Sequence, residues 1–330
     1  TTPPFKRVMK MILETSEYYG SIARGDGKKS QYCSDLYENS RKYILEYFNA
    51  PEEIYTAIFV GNTTDGLNKL SNILIEDKND IVITTRMEHH SNDLPWRNKC
   101  NLKHVEVDKD GRVIVEEIEK LLDKYQERVK YVTVTGASNV TGYVNDIRRI
   151  ARAAHKYGAK IIVDGAQLIP HKKISMIQED INENIDFLVF SGHKVYAPFG
   201  SGVIIGLREI FNEKEPSSKG GGTVQIVLDD RQLWLDTPER NEAGTPNLFG
   251  AVSIAEALRE MDKIGFKTIE SNEKELLSYL IKELKQFEKV ILYGDNENIN
   301  DRLGILVFNI DGMTYEEVGE ALANIRDRKS

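Results

Sequence analysis

Short apolar runs alternate with helix-like segments over the first two thirds of the chain. Runs rich in β-branched residues predict six strands, at 56–60, 81–84, 129–135, 160–163, 185–190 and 203–205. Between two of these runs, residues 147–157 carry apolar side chains at helical spacing and end at Gly158, a common residue after a helix C-terminus. Strands that alternate with helices in this way indicate an α/β fold around a mainly parallel sheet.

The pattern changes near residue 250. Residues 251–264 and 269–287 have the periodicity of amphipathic helices, and strand-like runs at 290–293 and 304–309 precede a helix around 315–325. We therefore expect a large α/β domain over 16–250 and a smaller α+β domain over 251–330, incomplete at its C-terminal end. The N-terminal segment 1–15 is assigned to the small domain.

Composition and charge exclude several classes of protein. The 330 residues have a net charge of −8, with basic side chains scattered among acidic ones, which argues against a nucleic-acid partner. No stretch approaches the roughly 18 consecutive apolar residues of a membrane helix, and Thr1-Thr2-Pro3-Pro4 lacks signal-peptide character. We expect a cytoplasmic protein without a membrane partner. Cys33 and Cys100 are too few for a disulfide framework and lack metal-ligand spacing.

Lys194 is the first candidate for chemistry. It belongs to Ser191-Gly192-His193-Lys194, which directly follows the apolar run 185–190 and precedes the glycine-containing loop 196–202. An amine at the end of a buried strand is partly desolvated, which suits Schiff-base formation beside a phosphate, as in the binding of pyridoxal phosphate. The alternative is an ordinary solvated lysine.

Polar residues also follow other predicted strands, where ligands of open parallel sheets bind. Thr63 and Thr64 precede a predicted helix at 67–74, so they can bind a phosphate at its N-terminus or simply cap it. Asp164 follows 160–163, and a buried carboxylate at this position needs a cationic partner such as a protonated pyridine nitrogen, unless it caps the next helix. Gln167 can form a hydrogen bond to the ring oxygen, and Asn139 can reach the same ring or the substrate.

Adjacent histidines follow the predicted strand at 81–84. The imidazole of His89 can stack on a planar ring or take part in proton transfer, whereas a structural role is the alternative for His90. Neighbouring strand residues point to opposite faces, and no third ligand stands at a useful spacing, so we expect no metal site.

Five motifs resemble those of fold-type I pyridoxal-phosphate enzymes of aminotransferase class V, in particular the cysteine desulfurase and selenocysteine lyase branch. They are Glu88-His89-His90, Ser138-Asn139-Val140, Asp164-Gly165-Ala166-Gln167, Ser191-Gly192-His193-Lys194 and Glu242-Ala243-Gly244-Thr245-Pro246-Asn247. The resemblance covers nearly the whole chain. It implies a mainly parallel sheet of the seven-stranded type, pyridoxal 5'-phosphate as cofactor, and a homodimer with shared active sites.

The resemblance also implies roles for individual residues. Lys194 forms the Schiff base with the cofactor and later transfers a proton, Asp164 pairs with the pyridine nitrogen, and His89 stacks on the ring. The phosphate is bound by Thr64, Ser191 and His193, with Thr63 close by. Gln167 binds the ring oxygen, and Thr223 reaches the phosphate bound by the neighbouring subunit.

The chain also departs from the family pattern. It starts late in that pattern, and Ala23 precedes Arg24 where desulfurases have a histidine. A desulfurase further needs a nucleophilic cysteine on a loop of the C-terminal domain, followed by an arginine for the substrate carboxylate, and neither can be placed before the sequence ends at 325–330. Cys33, expected at the start of a helix at 36–48, and Cys100 are poor substitutes.

The expected activity is therefore cysteine desulfurase-like. An amino-acid substrate reacts through an external aldimine, and a thiolate takes sulfur from cysteine to leave alanine. A sulfur-acceptor protein is a possible partner. A class V aminotransferase, lyase or epimerase without sulfur transfer is the alternative within the same cofactor class. A non-catalytic scaffold that keeps the fold is the alternative of another class.

Overall fold

A seven-stranded sheet forms the centre of the computed structural model, which describes residues 2–22 and 25–327. Ala23 and Arg24, where the sequence departs from the family pattern, lie outside the described residues. In chain order the strands are β1 (Tyr55–Val60), β2 (Ile81–Thr85), β3 (Asn101–Val105), β4 (Val129–Thr135), β5 (Lys160–Asp164), β6 (Phe187–Ser191) and β7 (Gly202–Leu207). Their spatial order is β1-β7-β6-β5-β4-β2-β3.

The sheet is mainly parallel, as the sequence predicts. Strand β7 runs antiparallel to both of its neighbours, β1 and β6, and the other neighbouring pairs are parallel. All six predicted strands belong to this sheet. Strand β3 escapes the sequence analysis because it lies at the edge, where polar residues such as Lys103 and His104 are only half-buried.

Helices surround the sheet, and two small two-stranded antiparallel sheets lie outside it. The helices are α1 (Lys6–Glu17), α2 (Lys28–Tyr47), α3 (Thr63–Leu74), α4 (His90–Asp93), α5 (Val115–Tyr125), α6 (Ile147–Lys156), α7 (Arg208–Glu213), α8 (Leu248–Ile264), α9 (Phe266–Leu284) and α10 (Tyr315–Asp327). The first is a hairpin of β8 (Val224–Val227) with β9 (Gln232–Trp234), and the second pairs β10 (Val290–Leu292) with β11 (Phe308–Ile310). No helix within the described ranges is long and apolar enough to cross a membrane.

Both faces of the sheet are buried. Along β5, Ile161 and Val163 pack into one apolar cluster, whereas Ile162 packs into a second cluster on the opposite face with Leu67 and Leu70 of α3. Burial on both faces explains why the central strands have continuous apolar runs rather than an alternating pattern.

The first helix packs against α8. Arg7 of α1 donates to Glu256 of α8, with 2.9 Å between Nε and Oε1. Helix α8 also packs against α2, which belongs to the range 16–250. The domain boundaries given above stay a prediction.

Candidate functional site

A cavity of about 300 Å³ lies at the carboxyl ends of the central strands. Nine of the ten predicted site residues line it: Thr63, Thr64, His89, Asn139, Asp164, Gln167, Ser191, His193 and Lys194. The tenth, Thr223, lies outside it. These nine residues bring together an amine, a carboxyl group, two imidazoles, two amides and three hydroxyl groups, and Asn62, Ser91 and Thr135 add further polar groups to the lining.

Lys194 reaches the cavity from a short 3₁₀ turn, Gly192–Lys194, that follows β6. Glycine is required at the first position, because a Cβ atom on Gly192 would lie 2.8 Å from the Oγ of Ser201. Burial lowers the pKa of the Lys194 amine, and the nearby negative charge of Asp164 opposes this effect. A lowered pKa increases the neutral, nucleophilic fraction of an amine.

Asp164 is the last residue of β5, and its side chain is buried. Burial raises the pKa of its carboxyl group, against the opposing effects of the Ala166 amide and of the positive charge of Lys194. Residues 166–170 form turns, so the carboxyl group does not cap a helix. The Ala166 amide donates to its Oδ1 over 2.9 Å, and the carboxyl group faces the cavity, where a cationic ligand would compensate for its burial.

Hydroxyl groups surround the N-terminus of α3. The helix begins at Thr63, earlier than the predicted residue 67, and its cap is Asn62, whose side chain accepts from the Asp65 amide over 2.9 Å. The capping alternative for the two threonines is therefore wrong. The Thr63 and Ser191 hydroxyls lie 2.7 Å apart, and the Thr64 hydroxyl lies 2.7 Å from Ser91 Oγ. Hydroxyls at a helix N-terminus suit an anion such as a phosphate.

His89 does not lie on a strand, which corrects the geometry assumed for the two histidines. Strand β2 ends at Thr85, and His89 caps α4, with its Nδ1 accepting from the Ser91 amide over 3.1 Å. The rings of His89 and His90 are 5.9 Å apart and tilted. Among the described side chains, no group of three or more potential metal ligands comes together.

Glu88 fixes the turn that carries His89, a role that the sequence analysis missed. Its carboxyl oxygens accept from Thr85 Oγ1 over 2.7 Å and from Asn92 Nδ2 over 2.6 Å. Burial raises the pKa of Glu88 to about 8, against the opposing effect of these hydrogen bonds. The network extends to Thr133, whose hydroxyl donates to Asn92 Oδ1, and only the folded structure reveals it.

Glu242, in the fifth motif, has a structural role. Its carboxylate accepts two hydrogen bonds from the buried guanidinium of Arg41, over 2.9 Å and 3.0 Å. The Tyr37 hydroxyl and the Phe59 amide also donate to it. This motif therefore ties α2 and β1 to the segment that leads into α8.

Thr223 is buried in the loop before β8, where its hydroxyl donates to the Gly220 carbonyl over 2.6 Å. Its contact with a neighbouring subunit stays a prediction.

The cysteines do not line the cavity. Cys33 is buried inside α2, which begins at Lys28, so the expected position at a helix start is wrong. Burial raises the pKa of the Cys100 thiol to about 11, opposite to the shift that a reactive thiol requires.

Comparisons with known proteins agree with the motifs. The aminotransferase class-V family model matches residues 1–326. A cysteine desulfurase of Cronobacter sakazakii is 34% identical over 317 residues, which are 93% of this chain and 75% of the relative. A probable cysteine desulfurase of Staphylococcus aureus strain Mu50 is 34% identical over 328 residues, which are 95% of this chain and 76% of the relative. The apo structure of a cysteine desulfurase from Thermococcus onnurineus NA1 matches with a TM-score of 0.89 and 32% identity, covering 98% of this chain and 80% of that one.

Proposed function

The chain belongs to the aminotransferase class V family of enzymes, and from this premise we propose that it binds pyridoxal 5'-phosphate and catalyses cysteine desulfuration. The observation that carries the proposal is the convergence of Lys194, Asp164 and the hydroxyl-lined N-terminus of α3 on one cavity. A nucleophilic amine, a carboxylate in need of a cation and an anion site together match the aldehyde, the pyridine nitrogen and the phosphate of that cofactor.

The residues of the cavity divide into a ring end and a phosphate end. Asp164 would hold the protonated ring nitrogen, His89 would cover one ring face, and Gln167 would donate to the ring oxygen, with Asn139 beside the ring or the substrate. At the other end, the residues that would hold the phosphate are Thr63, Thr64, Ser191 and His193. When bound, pyridoxal phosphate supplies an electron sink for charge that develops on the substrate carbon.

The amine of Lys194 has two tasks in this mechanism. It would hold the cofactor's aldehyde carbon, and its lowered pKa favours the neutral amine that this needs. With a substrate bound, the same amine would be placed to move a proton between its Nζ and a substrate carbon. The carboxylate of Asp164 would stabilise the positive charge of the ring nitrogen.

Sulfur transfer also needs a thiolate, which forms a bond to the substrate sulfur as the carbon–sulfur bond breaks. Neither Cys33 nor Cys100 lines the cavity, so the accepting thiol has to be supplied by something other than these two residues. The second candidate function uses the same cavity on an amino acid without sulfur transfer, as an aminotransferase, lyase or epimerase.

An absorbance spectrum tests the cofactor assignment. Adding pyridoxal phosphate to the chain should produce a visible band that Lys194→Ala removes. Lys69→Ala is the matched control, because burial also lowers the pKa of Lys69, yet its side chain lines a different cavity. An unchanged spectrum in Lys194→Ala would refute the role of this lysine.

Product analysis with cysteine separates the two candidate functions. A desulfurase forms alanine and, with dithiothreitol as the accepting thiol, releases sulfide. Pyruvate with ammonia would indicate a lyase, and alanine formation that does not respond to added thiol would argue against transfer through a thiolate.

A homodimer is part of the proposal, with Thr223 reaching the phosphate site of the partner. In support, the hairpin that follows Thr223 exposes apolar side chains, among them Ile226, Val227 and Leu233. Ile226 and Leu233 lie opposite each other in this hairpin, and exposed apolar side chains of this kind suit a protein interface. Light scattering should show a dimer that Val227→Asp weakens and Val227→Thr leaves intact, whereas a monomeric wild type that binds the cofactor fully would refute the shared site.

A cytoplasmic location and a sulfur-accepting partner protein also stay predictions.

A further inference from the structure

The N-terminal segment crosses the turn that carries Lys194. The Thr2 amide donates to the carbonyl of His193 over 2.9 Å, and the Thr2 hydroxyl donates to the same carbonyl over 3.2 Å. The same hydroxyl accepts from the amide of Tyr196 over 3.0 Å. Thr2 therefore binds the backbone on both sides of Lys194, although the two residues are far apart in sequence.

These contacts complete the hydrogen bonding of the turn. Within the turn, the Gly192 carbonyl accepts from the amides of Val195 and Ala197, over 2.9 Å and 3.0 Å. The His193 carbonyl and the Tyr196 amide find their partners on Thr2 instead. Backbone groups that lose contact with water are destabilising without partners. The His193 carbonyl and the Tyr196 amide are partly buried, so their hydrogen bonds to Thr2 stabilise the turn directly.

The backbone of the turn also needs support from outside. Tyr196 has a φ angle of 62°, in the left-handed region that non-glycine residues rarely adopt. Its ring stacks on the ring of Phe5, with centroids 4.3 Å apart and an interplanar angle of 24°. The stacked ring pair and the Thr2 hydroxyl hold Tyr196, two residues after Lys194, in this unfavourable conformation.

We propose that Thr2 is a positioning residue for Lys194: its hydroxyl bridges the His193 carbonyl and the Tyr196 amide, and thereby fixes the backbone from which the Lys194 amine reaches the cavity. The claim that Thr2 fixes this backbone depends only on its contacts with His193 and Tyr196. Its consequence for catalysis rests on the proposed function, in which Lys194 binds the cofactor.

Amide hydrogen exchange of the full chain, with and without pyridoxal phosphate, tests the structural part. Thr2→Val keeps the shape of the side chain but removes the hydroxyl, so the Tyr196 amide should exchange about fivefold faster, the effect of losing one ordinary hydrogen bond. Thr2→Ser should restore slow exchange. Unchanged exchange at Tyr196 in Thr2→Val would overturn the proposal, and so would an equal acceleration in β5, which would mean that Thr2 only stabilises the whole fold.

A double-mutant cycle on cofactor affinity tests the link to Lys194. Thr2→Val should raise the dissociation constant of pyridoxal phosphate about fivefold, with rescue by Thr2→Ser, but should have no further effect in the Lys194→Ala background. An equal effect in both backgrounds would overturn the positioning role. If the wild type binds no cofactor, the proposed function fails, and the exchange experiment still decides the contacts of Thr2.

Discussion

Replacing Glu242 with glutamine should destabilise the chain strongly, although Glu242 does not line the Lys194 cavity. The side chains of Glu242 and Arg41 are each 6% exposed, and the pair is bidentate. Glutamine has nearly the same shape as glutamate but no charge, so Glu242→Gln leaves the Arg41 guanidinium without its buried counter-ion.

The magnitude follows from burial. Removing one partner of a buried ion pair typically costs about 3–5 kcal/mol, because the remaining charge stays desolvated. We expect the upper part of this range, since the carboxylate also accepts from the Tyr37 hydroxyl over 2.7 Å and from the Phe59 amide over 2.6 Å. For a chain of this size, such a loss lowers the melting temperature by on the order of 10 °C.

Urea unfolding measures this loss as a change in the free energy of unfolding. Glu239→Gln is the matched control, because Glu239 is an exposed acid in the same segment and should change the free energy by less than about 0.5 kcal/mol. Adding Arg41→Met to Glu242→Gln should cost much less than Arg41→Met does alone, because Arg41 has then already lost its buried counter-ion and keeps only the partly exposed Glu38. A loss below about 1 kcal/mol in Glu242→Gln, or additive effects in the double variant, would refute the reasoning.

Three further changes test other parts of the structure. Asp164→Asn should stabilise the cofactor-free chain by about 1–3 kcal/mol, because it removes a buried acid, and it should weaken cofactor binding. Urea unfolding measures the first effect and a binding titration the second. A destabilised cofactor-free variant would contradict this account. Burial alone would lower the pKa of His155, but its hydrogen bond to Asp186 raises it. The stability that the protonated His155 gains from Asp186 is therefore complete below about pH 6.5 and is lost as the pH rises through the raised pKa. Asp186→Asn should remove this dependence of the free energy of unfolding on pH, measured between about pH 6 and pH 8. An unchanged dependence would exclude the His155–Asp186 pair as its source. In Gly66→Ala the new Cβ would lie 2.6 Å from Val189 Cγ1. This clash should lower the free energy of unfolding by about 1–3 kcal/mol and weaken cofactor binding by displacing α3. A calorimetric melting temperature equal to that of the wild type would argue against this contact.

The sequence predicts the central sheet and most of the cavity lining because both depend on local patterns. Apolar runs identify strands that are buried on both faces, and the polar residue after each run falls at the edge where ligands bind. This rule alone is enough to single out Asp164 and Lys194. The same reasoning misses β3, because half-buried polar residues at a sheet edge give no apolar run.

Residues that act through distant contacts leave no local signal. Thr2 lies beside Lys194 only after the chain has folded, and nothing near it in sequence indicates this position. The buried network of Glu88 likewise depends on Thr133, which belongs to a different strand. His89 was recognised by its motif, yet its place at a helix cap could not be read from alternating strand geometry.

The position of β1 has a consequence for the synthesis of the chain. Strand β1 lies at the edge of the sheet, and among the described residues its one strand neighbour is β7, which follows it by more than a hundred residues. An emerging chain therefore carries Tyr55–Val60 as an unpaired apolar strand until Gly202–Leu207 has left the ribosome, and such strands invite aggregation. Helix α3 packs against β6 and β7 as well, so the Thr63 end of the cavity forms late, and we expect the nascent chain to depend on a chaperone over this interval.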